Sequence, residues 1–196
     1  MTLTVYYCNK NSISDSLCIN PDRFIDYRAN KIKNNRDKKL AYAAALVEEK
    51  SISTLTDYKT ISITVSAHGK PVINESNVFY NMSHSKDVAV CVTSNEPIGI
   101  DIQHISKYNE GIAKKSFSEK ELLFLNNAED KDLAFTFLWA KRESYVKYTG
   151  YGLALGLRKD IPDNVNIKTL QIDDYVLCVC TEHKIDNIKL EVLSDF

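Results

Sequence analysis

Ile98-Gly99-Ile100-Asp101-Ile102-Gln103 alternates strictly between isoleucine and a different kind of residue. Successive side chains of a strand point to opposite faces, so Ile98, Ile100 and Ile102 share a buried face while Asp101 and Gln103 share the other. That second face is expected to be open. Asn95-Glu96-Pro97 turns the chain into this strand, and beyond His104 the pattern becomes helical.

Toward the C-terminus, Ser118-Glu119-Lys120-Glu121 before Leu122-Leu123-Phe124-Leu125 has the form of a capping box and predicts a helix start. A longer helix is predicted from about Asp130 to Tyr148, stopped by Gly150 and Gly152, which tolerate positive φ. The tail, roughly Leu155 to Leu193, reads as β-rich, with Tyr175-Val176-Leu177-Cys178-Val179-Cys180 its clearest strand. Toward the N-terminus, Val88 to Val92 and Ile61 to Val65 read as strands, and His68-Gly69-Lys70-Pro71 as a turn. Residues 2–8 form a predicted strand. The segment from Pro21 to Lys50 reads as helical and carries Arg28, Lys31, Lys33, Arg36, Lys38 and Lys39. A solvated helix face explains that basic run as well as an anion site does. No repeat, low-complexity tract or flexible linker stands out.

Three features could carry chemistry. A strand-borne Asp101 suits a hard cation, because Mg²⁺ favours carboxylate and phosphate oxygens and keeps several waters, although polar pairs on open strand faces are ordinary. Trp139, Glu143 and Lys147 recur at i, i+4 and i+8 and lie along one helix face. Glu143 could complete a metal site or act as a base, and Lys147 could meet phosphate; equally, Glu before Lys at i+4 is a common surface pair, and Trp139 would be core. Tyr80-Asn81-Met82-Ser83-His84-Ser85 is a short polar stretch where hydroxyls, amides and an imidazole could meet an anion.

The 196 residues suit one domain or two small ones, with 44% hydrophobic residues, 26% charged and a formal net charge of −1. That balance argues against a nucleic-acid partner, so an anionic ligand must be held by a local cluster of cations. Cys8, Cys18, Cys91, Cys178 and Cys180 lack disulfide or metal-ligand spacing and read as reduced, mostly buried thiols. The first residues lack a basic leader with an apolar stretch, and Ala41 to Val47 is too short to span a bilayer, so no membrane association and a cytoplasmic address are expected.

Taken in order, three blocks make the chain resemble the Sfp-type 4′-phosphopantetheinyl transferases of the holo-acyl-carrier-protein synthase superfamily over nearly its whole length. Gly69-Lys70-Pro71 with Phe79-Tyr80-Asn81-Met82-Ser83-His84-Ser85 is similar to the family's GKP and N-x-SHS elements. The run from Ile98 to Gln103 is similar to its (V/I)GID-x-E element. Phe137 to Lys147, leading into Thr149-Gly150-Tyr151-Gly152-Leu153, is similar to its W-x-x-KE-(S/A)-x-x-K and G-x-G-L elements.

The resemblance implies an α+β fold made of a pseudo-twofold pair of similar halves, 1–97 and 98–196, with coenzyme A in the cleft between them. It implies an enzyme that uses Mg²⁺ to move phosphopantetheine from coenzyme A to a serine of an apo acyl or peptidyl carrier protein, releasing 3′,5′-ADP. Asp101 and Glu143 would bind the metal and Lys147 the pyrophosphate, with Glu143 also the base for the carrier serine. Lys70, Ser83 and His84 would hold the nucleotide, His84 near the 3′-phosphate. Lys39 stands at the family's basic nucleotide position, with Arg28 the second choice. Gln103 replaces the second acid of the best-known members and is expected to reach the metal through water, weakening Mg²⁺ affinity. A monomer is expected, docking its acidic carrier over residues 105–125 with Lys107, Lys114, Lys115 and Lys120 steering, although four solvated lysines need no partner. Two other readings stand beside the transferase: a non-catalytic coenzyme A or carrier-binding module, and an Mg²⁺-dependent nucleotide pyrophosphatase.

Overall fold

The computed structural model describes residues 1–16, 21–152 and 160–194; Cys18, Leu153 and the first residues of the β-rich tail lie outside them. The fold is a mixed α+β one. Its first sheet has the order β4-β5-β1-β9, built from β1 (Thr2–Asn9), β4 (Phe79–Ser85), β5 (Val88–Ser94) and β9 (Asn187–Leu193). A second sheet has the order β6-β8-β7, from β6 (Ile98–His104), β7 (Asn166–Ile172) and β8 (Tyr175–Thr181). A two-stranded hairpin, β2 (Ile63–Val65) and β3 (Pro71–Ile73), stands apart.

Strand alternation builds the layers. Leu3, Val5, Tyr7, Val88, Val90 and Val92 from the first sheet face Ile98, Ile100, Ile102, Leu177 and Val179 from the second in one buried core. The opposite face of the first sheet offers Cys8, Ala89 and Cys91 to the Ala-rich helix α2 (Lys38–Ile52). The opposite face of the second offers Val176 and Cys178 to Ala140 of the long helix α5 (Lys131–Thr149). The order is therefore helix, sheet, sheet, helix. Most of the ladder is antiparallel, but β9 pairs with β1 in parallel, Val5 opposite Leu190, so the last strand completes the first sheet.

The predicted helix over Pro21–Lys50 is two helices. Helix α1 (Asp26–Asn34) ends at Asn35, whose backbone is extended, and α2 restarts where the Asp37 carboxylate accepts from the Leu40 amide at 3.0 Å. Local capping outcompetes continuity there. The Ile61–Val65 strand shortens to β2, and a short helix α3 (Glu110–Ser116) precedes α4 (Glu119–Asn127). At α4 the capping box forms as read from the sequence: the Ser118 amide donates to Glu121 at 2.9 Å, and the Glu121 amide returns a bond to the Ser118 hydroxyl. Gly150 ends α5 with φ of 74°. Cys8, Cys91, Cys178 and Cys180 are free and buried, in line with reduced thiols. Among the described residues no helix is long and apolar enough to cross a membrane.

Candidate active site

Asp101 and Glu143 meet because α5 lies directly on β6. A side chain at Gly99 would overlap the Ser144 carbonyl and the Tyr148 amide, so glycine is what lets the helix axis come this close to the strand. Glu143 and Lys147, one turn apart on α5, then overhang Asp101, the fourth residue of β6. The alternation of β6 is as read, with all three isoleucines fully buried. Its other face is not open, however: α5 covers it, and Asp101 is 0% exposed.

The two sheets meet along β4 and β6 through side chains. Asn81 Oδ1 accepts from the Ile100 amide at 2.9 Å, Ser85 Oγ accepts from the His104 amide at 3.0 Å, and Ser83 Oγ donates to Asp101 Oδ1 at 2.7 Å. Alternate residues of the polar stretch thus stitch β4 to β6, and its middle hydroxyl lands on the buried carboxylate.

Around Asp101 the charge is unbalanced. Lys147 Nζ donates to Asp101 Oδ1 and to Ser83 Oγ, the latter at 2.7 Å, and lies 4.0 Å from Glu143 Oε2. Gln103 Nε2 donates to Asp101 Oδ2 at 2.9 Å. Two carboxylates share one ammonium. Burial, and next the neighbouring Asp101, push the Glu143 carboxyl up to about 7, against the opposing pull of Lys147 and a hydrogen bond from Trp139. Trp139, read as core from the sequence, therefore also holds the acid.

These groups form one wall of a 450 Å³ cavity. Arg28, Lys31 and His84 line the same cavity. Arg28 is 6% exposed and pairs with the fully buried Glu48, which also accepts from the Tyr80 hydroxyl at 2.8 Å. Partial desolvation, with Lys147 and Arg28 nearby, holds the His84 imidazole below its ordinary value. Lys31, one of the basic run in the sequence, sits one turn after Arg28 on α1, and that spacing is the signal that sets it apart from its neighbours.

Two of the basic residues named from the sequence sit elsewhere. Lys39 pairs with Asp15 at 3.0 Å and is not on the cavity wall. Lys70 sends its ammonium to backbone carbonyls, while its neighbours Gly69 and Pro71 line the cavity. Asp101, Gln103, Glu143, Lys147, Ser83, His84 and Arg28 all converge there.

The donor set suits a divalent hard cation. Among the described residues no three of His, Cys, Asp and Glu cluster as a protein-only metal cage. Mg²⁺ asks for less, because one or two carboxylates, waters and substrate phosphates are its usual shell. Asp101 and Glu143 supply that pair, with the Gln103 amide beside them.

Comparison with known proteins gives the chain's relatives. The 4′-phosphopantetheinyl transferase superfamily matches residues 97–192. The chain is 33% identical over 148 residues to the 4′-phosphopantetheinyl transferase Sfp of Bacillus subtilis, a match covering 65% of this chain and 66% of that protein, just under two thirds. It is 32% identical over 103 residues to the 4′-phosphopantetheinyl transferase HetI of a Nostoc species, covering 48% of this chain and 44% of HetI. It is also 30% identical over 143 residues to the human L-aminoadipate-semialdehyde dehydrogenase-phosphopantetheinyl transferase, covering 63% of this chain and 46% of that one.

Proposed function

We propose that this chain, which belongs to the 4′-phosphopantetheinyl transferase superfamily, transfers phosphopantetheine from coenzyme A to a serine of an apo acyl or peptidyl carrier protein. The observation that carries the reading is the pair Asp101 and Glu143 with Lys147, lining one cavity together with Arg28, Lys31 and His84. A molecule with two separated anionic centres and a polar linker between them suits such a lining.

In the proposed reaction the carrier serine Oγ attacks the phosphorus that bears pantetheine. A new Ser O–P bond forms, the bridging P–O bond of the pyrophosphate breaks, and 3′,5′-ADP leaves with the bridging electrons. Asp101 and Glu143 would hold Mg²⁺, with Gln103 contributing through water; the ion, when bound, neutralises charge building on the pyrophosphate. Lys147 moves from the carboxylates to the phosphates and adds a second positive charge there. Glu143, directly or through a water, accepts the serine proton. Ser83 fixes Asp101, and Arg28 and His84 take the terminal phosphate of the nucleotide. Lys39 can join only by leaving Asp15 and is the weaker assignment.

The remaining parts of the reading belong to the same proposal. The two halves, 1–97 and 98–196, form a pseudo-twofold pair apart from β9, which crosses from the second half into the first sheet; a long helix on a three-stranded antiparallel unit in each supports the pairing. The protein works as a cytoplasmic monomer. An acidic carrier docks over residues 105–125, where Ile112, Leu123 and Phe124 are exposed among Lys107, Lys114, Lys115 and Lys120.

The test is to incubate the protein with coenzyme A, Mg²⁺ and a panel of apo carriers while following carrier mass, with Glu143→Ala alongside. A gain of one phosphopantetheine that the variant loses supports transfer. Coenzyme A binding with no gain on any carrier supports the binding module, and coenzyme A breakdown without a carrier supports the hydrolase.

A further inference from the structure

Lys70 was expected to meet the nucleotide, and its ammonium does something else. It donates to the Lys147 carbonyl at 2.6 Å, the Tyr148 carbonyl at 3.2 Å and the Ile98 carbonyl at 3.4 Å. An ammonium has three N–H donors. All three have acceptors on the backbone, and none is left for a phosphate.

The acceptors themselves are informative. The carbonyls of Lys147 and Tyr148 lie in the last turn of α5, where helix carbonyls lack partners within the helix and the dipole is negative. The third belongs to the first residue of β6. Lys70 reaches them from a stiff turn, in which Gly69 adopts φ of 84°, the Ser66 amide donates to the Lys70 carbonyl at 2.8 Å, and the Lys70 amide donates to Ser66 Oγ at 3.1 Å. Partial burial pushes the Lys70 amine down to about 8. Its stem also passes the end of α5, with Cδ 3.7 Å from where a Cβ at Gly150 would stand.

We propose that Lys70 is a positioning residue: its ammonium ties the end of α5 to the start of β6 and to the β2–β3 turn, and so keeps Lys147 and Glu143 over Asp101. The inference rests on the transferase reading for its kinetic consequence, but the tie itself is a property of the fold. Its reasoning is geometric. Lys147 and Asp101 reach each other only while helix and strand hold their present offset, and Lys70 bonds the carbonyl of Lys147 itself.

The experiment compares wild type, Lys70→Met and Lys70→Arg. Methionine keeps much of the stem and removes every donor, whereas arginine returns donors in a different shape. Expected for Lys70→Met is a kcat lower by about tenfold to a hundredfold, the scale of a small misplacement of reacting groups. The KM for coenzyme A and the affinity for 3′,5′-ADP stay within about twofold, and Lys70→Arg recovers part of the kcat loss. Amide hydrogen exchange over residues 146–150 speeds up in Lys70→Met, and Mn²⁺ alone, titrated calorimetrically, binds more weakly. A raised KM with unchanged kcat would overturn the proposal and return Lys70 to the ligand. So would unchanged exchange, or faster exchange with kcat and Mn²⁺ affinity both intact. If wild type transfers to no carrier, the function reading fails while exchange and Mn²⁺ affinity still decide the tie. Should Lys70→Met not fold, the kcat and KM split and the exchange of Lys70→Arg, whose fork cannot repeat all three bonds, decide in its place.

Discussion

Two buried ion pairs border the same cavity, one through Arg28 and the other through Asp101, Glu143 and Lys147, and they are built to different rules. Glu48 has Arg28 and the Tyr80 hydroxyl to itself, so one negative charge meets one positive charge and a neutral donor. Asp101 and Glu143 have Lys147 between them, two carboxyl groups for one ammonium. A balanced buried pair is costly to break and chemically quiet, whereas an unbalanced one stores an unmet demand for positive charge. The first wall presents a fixed cation to a ligand. The second is short of a cation, and burial first, then the neighbouring Asp101, raises the Glu143 carboxyl to about 7.

The sharpest way to break this contrast is to remove the acids separately. Glu143→Gln keeps shape and loses charge, and should cut transfer by on the order of 10²–10⁴-fold with the fold intact by circular dichroism; an equal loss in Glu48→Gln would erase the distinction between the walls. Glu48→Ala leaves Arg28 buried and unpaired, and should lower stability in urea by about 3–5 kcal/mol, with most of it regained when Arg28→Met is added.

The unbalanced wall also predicts a pH signature. The Glu143 carboxyl is raised from 4.5 to about 7 in the fold, so between those values the folded protein keeps a proton that the unfolded chain has released. Stability without metal should therefore fall as pH climbs from about 4.5 to 7, by on the order of 2 kcal/mol. Melting temperatures in chelator across that range check it, and Glu143→Gln should flatten the slope while Glu48→Gln leaves it. The smallest effect is expected from Gln103→Glu, which adds a third acid beside the pair and should lower the Mg²⁺ concentration for half-maximal transfer by roughly threefold to tenfold. An unchanged value would mean that position 103 does not reach the ion.

How much of this could be read from the residues depends on how local the cause is. The period of two in β6, the capping box at Ser118 and the glycine stop at Gly150 are local, and all three appear in the structure. The burial of Asp101 was not legible, because it depends on α5 crossing a face that alternation alone leaves open. Neither was the direction of the Lys70 side chain, since a lysine in a glycine turn looks the same whether it meets a phosphate or a helix end. The break at Asp37 was locally encoded but was masked by the helical run on both sides of it. Among the cations of that segment, only the packing of α1 against the cavity separates Arg28 and Lys31 from Lys39.

The parallel seat of β9 beside β1 also sets a timetable. During synthesis β1 emerges first, and its neighbour on that side is made only when residues 187–193 appear. At about 5–20 residues per second that is on the order of ten seconds or more with a strand edge bare. For that interval Leu3 and Val5 lie beside an unpaired row of amides and carbonyls, the kind of surface on which strands of other chains add. A chain stalled before residue 187 would keep that edge bare.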